Sequence, residues 1–220
     1  MSQVKQLLRE IEAEVRHTRY MTGRATLAPR VLEAMTTVPR HEFVPDGARD
    51  YAYDNRPLPI GDGQTISQPY IVALMTDLLD PEPEDVVLEV GTGSGYQAAV
   101  LSRLVHTVYS VEVHGSLSRR AEAILRRLGY DNVICRVGDG YDGWPEKAPF
   151  DGILVTAAAP AIPPALVEQL KPGGRMVIPV GAPLAHQELM VVAREEDGTT
   201  STRKVLDVAF VPLTRSAPRD

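Results

Sequence analysis

Helical spacing of apolar residues dominates the first 80 residues of the chain. The first amphipathic helix is predicted by the apolar residues Val4, Leu7, Leu8, Ile11 and Val15. A second short helix is predicted over residues 29–35, and a third begins with Ser67 or Gln68 in its N-cap region. A loop rich in Pro and Gly, residues 38–63, lies between them. We therefore expect a helical and loop region over residues 1–80, packed on the rest of the chain.

The middle of the chain, residues 81–185, alternates short apolar runs with helical patterns. The runs that predict strands are residues 86–90, 107–111, 133–137, 152–156 and 175–179. The stretches that predict helices are residues 96–104, 117–128 and 164–170. Gly173 and Gly174 are expected to stop the last helix and turn the chain into the next strand. This alternation is typical of an α/β fold in which helices cover both faces of a parallel, doubly wound, Rossmann-like sheet.

The period of the apolar pattern changes in the remaining residues, 186–220. Residues 189–193 and 205–213 predict two antiparallel strands, joined by a polar turn over residues 195–199. These strands are expected to complete the central sheet. The prediction is one structural domain with three segments.

Charge and composition exclude several classes of protein. The chain has 23 Lys and Arg against 29 Asp and Glu, a net charge of −6, which disfavours nucleic-acid and anionic-membrane partners. The single cysteine, Cys135, excludes an internal disulfide and a cysteine-based zinc site, and the histidines do not stand at metal-ligand spacing. We expect no leader peptide, and no apolar run is long enough for a membrane span. We expect a monomer in the cytoplasm, with no metal.

The strongest local signal is a glycine-rich turn between a predicted strand and a predicted helix. It comprises the consecutive residues Gly91, Thr92, Gly93, Ser94 and Gly95. Such a turn allows a ligand to approach the backbone next to a helix N-terminus. The spacing G-x-G-x-G differs from the G-x-G-x-x-G of dinucleotide sites, and no Gly-Lys-Ser/Thr of a phosphate loop follows. With Glu89 two residues before it, the turn resembles the S-adenosylmethionine loop of class I methyltransferases.

Two acidic residues follow the next two predicted strands. Glu112 lies 21 residues after Gly91, where a carboxylate can accept both hydroxyls of a ribose. Asp139 follows the third strand, in a position suited to an adenine amino group. Ligands of such sheets bind outside the carboxyl ends of the parallel strands, so the loop and both acids are expected to share one site.

Several longer blocks resemble the protein-L-isoaspartate (D-aspartate) O-methyltransferase family, over residues 31–214. The blocks cover residues 35–45, 51–54, 57–61, 63–70, 138–144, 148–153 and 208–213, and include Gln-Thr-Ile-Ser at 64–67 and Gly-Asp-Gly at 138–140. Val113 departs from the resemblance, because many members carry a basic residue or His there.

The resemblance implies methyl transfer from S-adenosylmethionine, leaving S-adenosyl-L-homocysteine, to the side-chain carboxylate of L-isoaspartyl residues in damaged proteins. D-aspartyl residues are a second acceptor to test. The residues it assigns to cofactor binding are Thr65, Ile66, Glu89, Gly91, Thr92, Gly93, Ser94, Gly95, Glu112, Val113, Asp139, Gly140 and Thr214. Those it assigns to the protein substrate are Gln64, Ser67 and Val211, with residues 64–66 as a flap and the main chain at Val211 pairing with the substrate peptide.

Ser67 is the catalytic residue that the resemblance implies, with its hydroxyl orienting the acceptor carboxylate. No Gly-x-Ser-x-Gly motif surrounds it, so a covalent nucleophile is not expected. Without the resemblance, a serine two residues before Pro69 is better explained as a helix N-cap. Both interpretations stay open at this point.

Two other functions compete with protein repair. One is a methyltransferase of the same fold that acts on another carboxylate, such as an aspartate of a peptide natural product. The other is a non-catalytic module that binds S-adenosylmethionine and a partner protein. A nucleic-acid methyltransferase is disfavoured, because aromatic residues make up only 5% of the chain and its charge is acidic.

Overall fold

The computed structural model describes residues 2–182 and 185–215. Its α-helices are α1 (Gln3–Thr22), α2 (Pro29–Thr37), α3 (Pro69–Leu79), α4 (Tyr96–Ser102), α5 (Gly115–Arg127) and α6 (Pro164–Glu168). Its strands are β1 (Leu58–Gly61), β2 (Gln64–Ile66), β3 (Val86–Val90), β4 (Thr107–Glu112), β5 (Val133–Val137), β6 (Phe150–Val155), β7 (Leu170–Val180), β8 (Gln187–Arg194) and β9 (Thr200–Val208). Short 3₁₀ helices occupy Arg40–Phe43, Asp46–Tyr51 and Pro145–Lys147.

A seven-stranded sheet forms the centre of the fold, in the order β5-β4-β3-β6-β7-β8-β9. The first five strands of this order run parallel, and β8 and β9 add antiparallel neighbours at one edge. β3 and β6 are buried nearly throughout, as expected for parallel strands covered on both faces. The predicted doubly wound α/β sheet with C-terminal antiparallel strands and an N-terminal helical extension is confirmed. The division into segments at residues 80 and 185 stays a prediction.

The N-terminal helices pack against the core through the apolar stripe seen in the sequence. Leu7, Ile11 and Val15 of α1 are buried, and α1 contacts α2, α3 and β9. β1 and β2 form a separate antiparallel hairpin that carries residues 64–66, the predicted flap. No helix among the described residues has the length and apolar character needed to cross a bilayer.

The prediction for Gly173 and Gly174 is wrong. The helix ends at Glu168, and both glycines lie inside β7, where the pairing with β6 slips between Phe150↔Leu170 and Gly152↔Arg175. Gly173 has a φ of +79°, and a Cβ on Gly174 would lie 2.9 Å from two carbonyl oxygens. The pair therefore forms an irregularity within a strand, because only glycine fits there, rather than a turn.

The predicted strand over residues 205–213 is also wrong in its bounds. β9 covers Thr200–Val208, and the chain leaves the sheet after Val208. The Gln187 side chain holds Phe210 by two hydrogen bonds, from the Phe210 amide at 2.6 Å and to its carbonyl at 3.1 Å. The Ala158 amide then donates to the Val211 carbonyl, and the Leu213 amide to the Ala158 carbonyl, both at 2.8 Å. This clamp bends the C-terminal segment over the carboxyl end of β6.

Candidate functional site

Two clefts open along the carboxyl ends of the parallel strands. The first, which we name the glycine-loop cleft, has a volume of about 480 Å³ including its open mouth. The predicted site residues that line it are Gln64, Thr65, Gly91, Gly93, Glu112, Val113, Gly140, Val211 and Thr214. Its position agrees with the rule that ligands bind outside the carboxyl ends of parallel strands.

The glycine loop is held open by its own backbone and by Glu112. Gly91, Gly93 and Gly95 all have positive φ, between 52° and 97°, a region that other residues rarely adopt. The Gly93 amide donates to Glu112 Oε2 at 2.8 Å, and the His114 amide donates to Oε1 at 2.9 Å. Each carboxylate oxygen has two lone pairs, so Glu112 keeps acceptor capacity toward the cleft. The loop and Glu112 therefore form one rigid, polar wall.

Gly140 forms the opposite wall by close backbone approach. A Cβ at this position would lie 2.6 Å from Val90 Cγ1 and 3.0 Å from Leu213 Cδ1. The neighbouring Asp139 does not line the cleft. Its Oδ1 accepts a hydrogen bond from the Tyr141 amide at 2.9 Å, and its Oδ2 lies 3.7 Å from Arg215 Nη1. This turn presents the backbone of Gly140 to the space in front of β3.

Glu89 lies beneath the glycine loop rather than in the cleft. It is fully buried, and its Oε2 accepts a hydrogen bond from Ser110 Oγ, which lies 2.6 Å from Thr92 Oγ1. Burial raises the pKa of Glu89 to about 8, and the nearby charge of Glu112 acts in the same direction. The carboxyl is therefore neutral at pH 7 and supports the loop from below.

The second cleft, which we name the serine cleft, has a volume of about 1110 Å³ including its open mouth. Ser67 lines it, together with Glu14 and Tyr70 of the helical region and residues 206–211, which span the end of β9 and the start of the C-terminal segment. Gln68, not Ser67, is the N-cap residue of α3, and no side chain caps this helix. The N-cap interpretation of Ser67 is therefore wrong. Among the described residues, no hydrogen bond uses the Ser67 hydroxyl, which leaves it available to a ligand.

The two clefts meet at three residues that line both, Thr65, Thr156 and Val211. Thr156 follows β6 directly, and its hydroxyl donates to the carbonyls of Gly91 at 2.6 Å and Val90 at 3.1 Å. A reaction between ligands in the two clefts would take place beside these residues.

The lining of these clefts includes Thr156, His114 and Glu14, which were not among the predicted site residues. Thr156 is the last residue of a predicted strand of the parallel sheet, and that position was a usable signal. His114 directly follows Val113, the residue that differs from the family pattern, and it lines the glycine-loop cleft. Glu14 carried no local signal, because it reaches Asn55 and Gln68 by hydrogen bonds across 41 and 54 positions of sequence.

Other predicted residues lie outside the lining of both clefts: Ile66, Glu89, Thr92, Ser94, Gly95 and Asp139. Thr92 and Ser94 are buried within the loop, and Ile66 is the buried last residue of β2 in the hairpin. Their roles as cofactor residues stay predictions.

One cluster among the described residues has the donor types of a metal site, namely His186, Glu188 and Asp207. The Lys204 ammonium bridges its carboxylates, at 2.7 Å from Glu188 and 3.1 Å from Asp207. A cation of the chain itself thus holds the position between the two acids, and the cluster is an exposed ion-pair network.

Comparison with known proteins identifies the family. The family model of protein-L-isoaspartate(D-aspartate) O-methyltransferase matches residues 14–217. A protein-L-isoaspartate O-methyltransferase 2 of Syntrophobacter fumaroxidans is 63% identical over 208 residues, which cover 94% of this chain and 84% of that protein. The protein of the same name from Nitrosococcus oceani is 60% identical over 214 residues, 97% of each chain.

Solved structures show the same fold. A protein-L-isoaspartate O-methyltransferase superposes with a TM-score of 0.82 at 30% identity, covering 95% of this chain and 65% of that one. A Plasmodium falciparum protein, solved in complex with S-adenosyl-L-homocysteine, gives a TM-score of 0.75 at 23% identity over 94% of this chain and 98% of that one. Family match, identity and fold agree, and the chain belongs to the protein-L-isoaspartate(D-aspartate) O-methyltransferase family.

Proposed function

We propose that this chain is a protein repair enzyme that methylates the side-chain carboxylate of L-isoaspartyl residues, with S-adenosylmethionine as methyl donor. The observation that carries the proposal is the junction of two clefts at Thr65, Thr156 and Val211. One cleft is walled by a glycine loop and a strand-end carboxylate, and the other is lined by the Ser67 hydroxyl. Family membership supports the same reaction.

The glycine-loop cleft fits a nucleoside cofactor on its own geometry. At Gly140 the backbone packs so closely against Val90 and Leu213 that no side chain fits, so this part of the cleft wall is bare backbone. Glu112, already fixed by two amides, would accept the ribose hydroxyls, and Val113, His114 and Thr214 would pack beside the base and the sugar. S-adenosylmethionine bound here supplies a methyl group that its sulfonium already activates.

The residues of the serine cleft need only bind and orient the acceptor. A carboxylate has a pKa near 4 and is ionised at pH 7, so no side chain has to remove a proton from it. Ser67 Oγ would donate a hydrogen bond to one carboxylate oxygen and direct the other toward the junction. Positioning of this kind, with water excluded by residues 64–66, can contribute ~7–11 kcal/mol in well-oriented systems.

The backbone of the C-terminal segment would bind the substrate peptide, but over a short stretch. Gln187 uses both the amide and the carbonyl of Phe210, and Ala158 uses the carbonyl of Val211. The Val211 amide, beside the junction, has no partner among the described residues and is a group that a peptide carbonyl could reach. Recognition through backbone would suit many substrate proteins.

The test is a methyl-transfer assay with labelled S-adenosylmethionine and three synthetic peptides. They differ only in carrying L-isoaspartate, D-aspartate or L-aspartate at one position. Base-labile label on the isoaspartyl peptide, absent from the aspartyl peptide, is expected. Label on the aspartyl peptide would favour a peptide-modifying enzyme. No label on any peptide, with S-adenosyl-L-homocysteine binding seen by calorimetry, would favour a non-catalytic module.

The wider setting is part of the same proposal. The net charge of −6 supports action on proteins in the cytoplasm without a nucleic-acid or membrane partner, and we expect a monomer. Size-exclusion chromatography with light scattering tests the last point, since a dimer would have twice the 24.0 kDa mass of the chain.

A further inference from the structure

Arg40 is a fully buried cation that has no role in the reaction as proposed above. Its side chain has no exposed surface. Among the described residues it has no carboxylate partner, and its Nη1 has no hydrogen-bond acceptor. Burial lowers the pKa of Arg40 to about 10, so the guanidinium is still charged at pH 7. An unpaired buried charge is costly to a fold, and such groups are found where function requires them.

The guanidinium contacts three segments that are distant in sequence. Nε donates to the Ala52 carbonyl at 2.9 Å, and Nη2 donates to the Ser67 carbonyl at 2.8 Å. Its central carbon lies 4.8 Å from the centre of the Tyr96 ring. Tyr96 is the first residue of α4, directly after the glycine loop. Arg40 thus joins the glycine-loop segment to the segment that carries Ser67.

The shape of the guanidinium explains why arginine stands here. Its planar fork presents donors in fixed directions and its face stacks on an aromatic ring, so one side chain holds two carbonyls and a ring at once. A lysine ammonium keeps the charge but is a compact group on a flexible stem.

We propose that Arg40 is the positioning residue of the methyl-transfer site, setting the spacing between the glycine loop and Ser67 and providing a counter-charge for the acceptor carboxylate. The inference rests on the proposed function. In-line transfer requires the reacting atoms ~3–3.5 Å apart, and a misplacement of ~1 Å can lower the rate ~100-fold. Arg40 touches neither ligand, because it is covered by the protein, and acts through the Ser67 carbonyl and the Tyr96 ring.

The test separates positioning from charge with two variants. Arg40→Lys keeps the charge and loses the fork, so we expect kcat on the isoaspartyl peptide to fall ~30-fold with KM for the peptide within threefold of wild type. Arg40→Gln loses the charge, and its amide nitrogen stands where Nε donates to the Ala52 carbonyl, so the bond to the Ser67 carbonyl is lost. We therefore expect the fall in kcat and, in addition, a ~10-fold rise in KM for the peptide. The Kd for S-adenosyl-L-homocysteine should stay within twofold in both variants.

Arg24→Lys is the matched control. Arg24 pairs with Asp77 near the other end of α3, with Nε 2.9 Å from Oδ2, away from both clefts. This variant should lower the unfolding temperature and leave kcat per folded molecule unchanged.

The outcomes distinguish the inference from the function it rests on. An inactive wild-type enzyme would overturn the proposed function and this inference with it. An active wild type with Arg40→Lys equally active would overturn the inference alone. So would a kcat that falls only in proportion to the folded fraction, or a failure of both Arg40 variants to fold, since either result would assign Arg40 a purely structural role.

Discussion

The glycine-loop cleft and the serine cleft are built in different ways. The first takes its walls from consecutive strand ends of the sheet, at Gly91, Glu112 and Gly140. The second combines α1, the segment before α3 and the segment after β9, so that Glu14, Ser67 and Val211 meet. A parallel sheet brings its carboxyl ends together by its regular geometry, whereas the serine cleft depends on long-range packing of irregular segments.

The two clefts are also supported by buried groups of opposite kinds. Neutral Glu89 lies beneath the glycine loop, and charged Arg40 holds the Ser67 segment. Burial raises the pKa of Glu89 to about 8 and lowers that of Arg40 to about 10. Of these two supports, only the one beneath the glycine loop changes its charge near neutral pH.

The largest expected effect is on pH-dependent stability. Because the pKa of Glu89 is raised from 4.5 to about 8 on folding, the folded state binds the proton more tightly than the unfolded state. The stabilisation is therefore complete below pH ~4.5 and is lost as pH rises through ~8, a loss of about 5 kcal/mol for one group at 1.36 kcal/mol per pKa unit. Urea unfolding of wild type and Glu89→Gln at pH 5, 6.5 and 8 measures the difference. Parallel pH curves for the two proteins would contradict it.

The next effect should be confined to the glycine-loop cleft. Glu112→Gln replaces the charged acceptor of two backbone amides and of the proposed ribose hydroxyls, each charge-assisted bond being worth ~1.5–3 kcal/mol. We expect the Kd for S-adenosyl-L-homocysteine, measured by calorimetry, to rise ~100-fold. The exposed Glu122→Gln on α5 is the charge-matched control and should bind as wild type. An unchanged Kd for S-adenosyl-L-homocysteine in Glu112→Gln would show that the nucleoside binds elsewhere.

A smaller effect should be confined to the serine cleft. Ser67→Ala removes a hydroxyl that no described residue uses, so the fold should tolerate the change. We expect kcat on the isoaspartyl peptide to fall ~20-fold, with the Kd for S-adenosyl-L-homocysteine within twofold. Ser201→Ala, at an exposed position of β9, controls for the loss of a hydroxyl. Equal loss of turnover and cofactor affinity would show that Ser67 is structural.

The smallest effect should reach both clefts. Thr156→Val keeps the shape of the side chain and removes its hydrogen bonds to the carbonyls of Gly91 and Val90. We expect a ~5-fold rise in both the Kd for S-adenosyl-L-homocysteine and the KM for the peptide, from about 1 kcal/mol of lost hydrogen bonding. Thr36→Val on α2, far from both clefts, is the control. A change in only one constant would place Thr156 in a single cleft.

Predictions from sequence succeeded where regular periodicity decides the structure. The strands Val86–Val90 and Val133–Val137 have the predicted bounds, and the glycine loop follows the first of them as expected. They failed where a distant side chain decides. The apolar residues after Val208 have the pattern of a strand, but the Gln187 side chain and the Ala158 backbone take their hydrogen-bonding groups out of the sheet.

The site residues show the same difference between local pattern and long-range contact. Gly91 and Glu112 could be placed in one cleft from their positions after predicted strands, because parallel strands bring such positions to one edge. Glu14 and Arg40 could not be assigned, because each acts through partners from other segments, 27 positions away in the case of Arg40 and Ser67. From the sequence, Ser67 or Gln68 could be the N-cap of α3, and only the structure decides for Gln68.

The sequence by itself determined the order of elements, the α/β class and the glycine loop, since apolar periodicity and positive-φ glycines act locally. Tertiary structure alone decided that two clefts meet at Thr65, Thr156 and Val211, and that a buried guanidinium contacts both the Ser67 carbonyl and the Tyr96 ring. The physical reason is that a hydroxyl, a carbonyl and a cation gain their roles from neighbours within a few ångströms, and long-range packing brings those neighbours together.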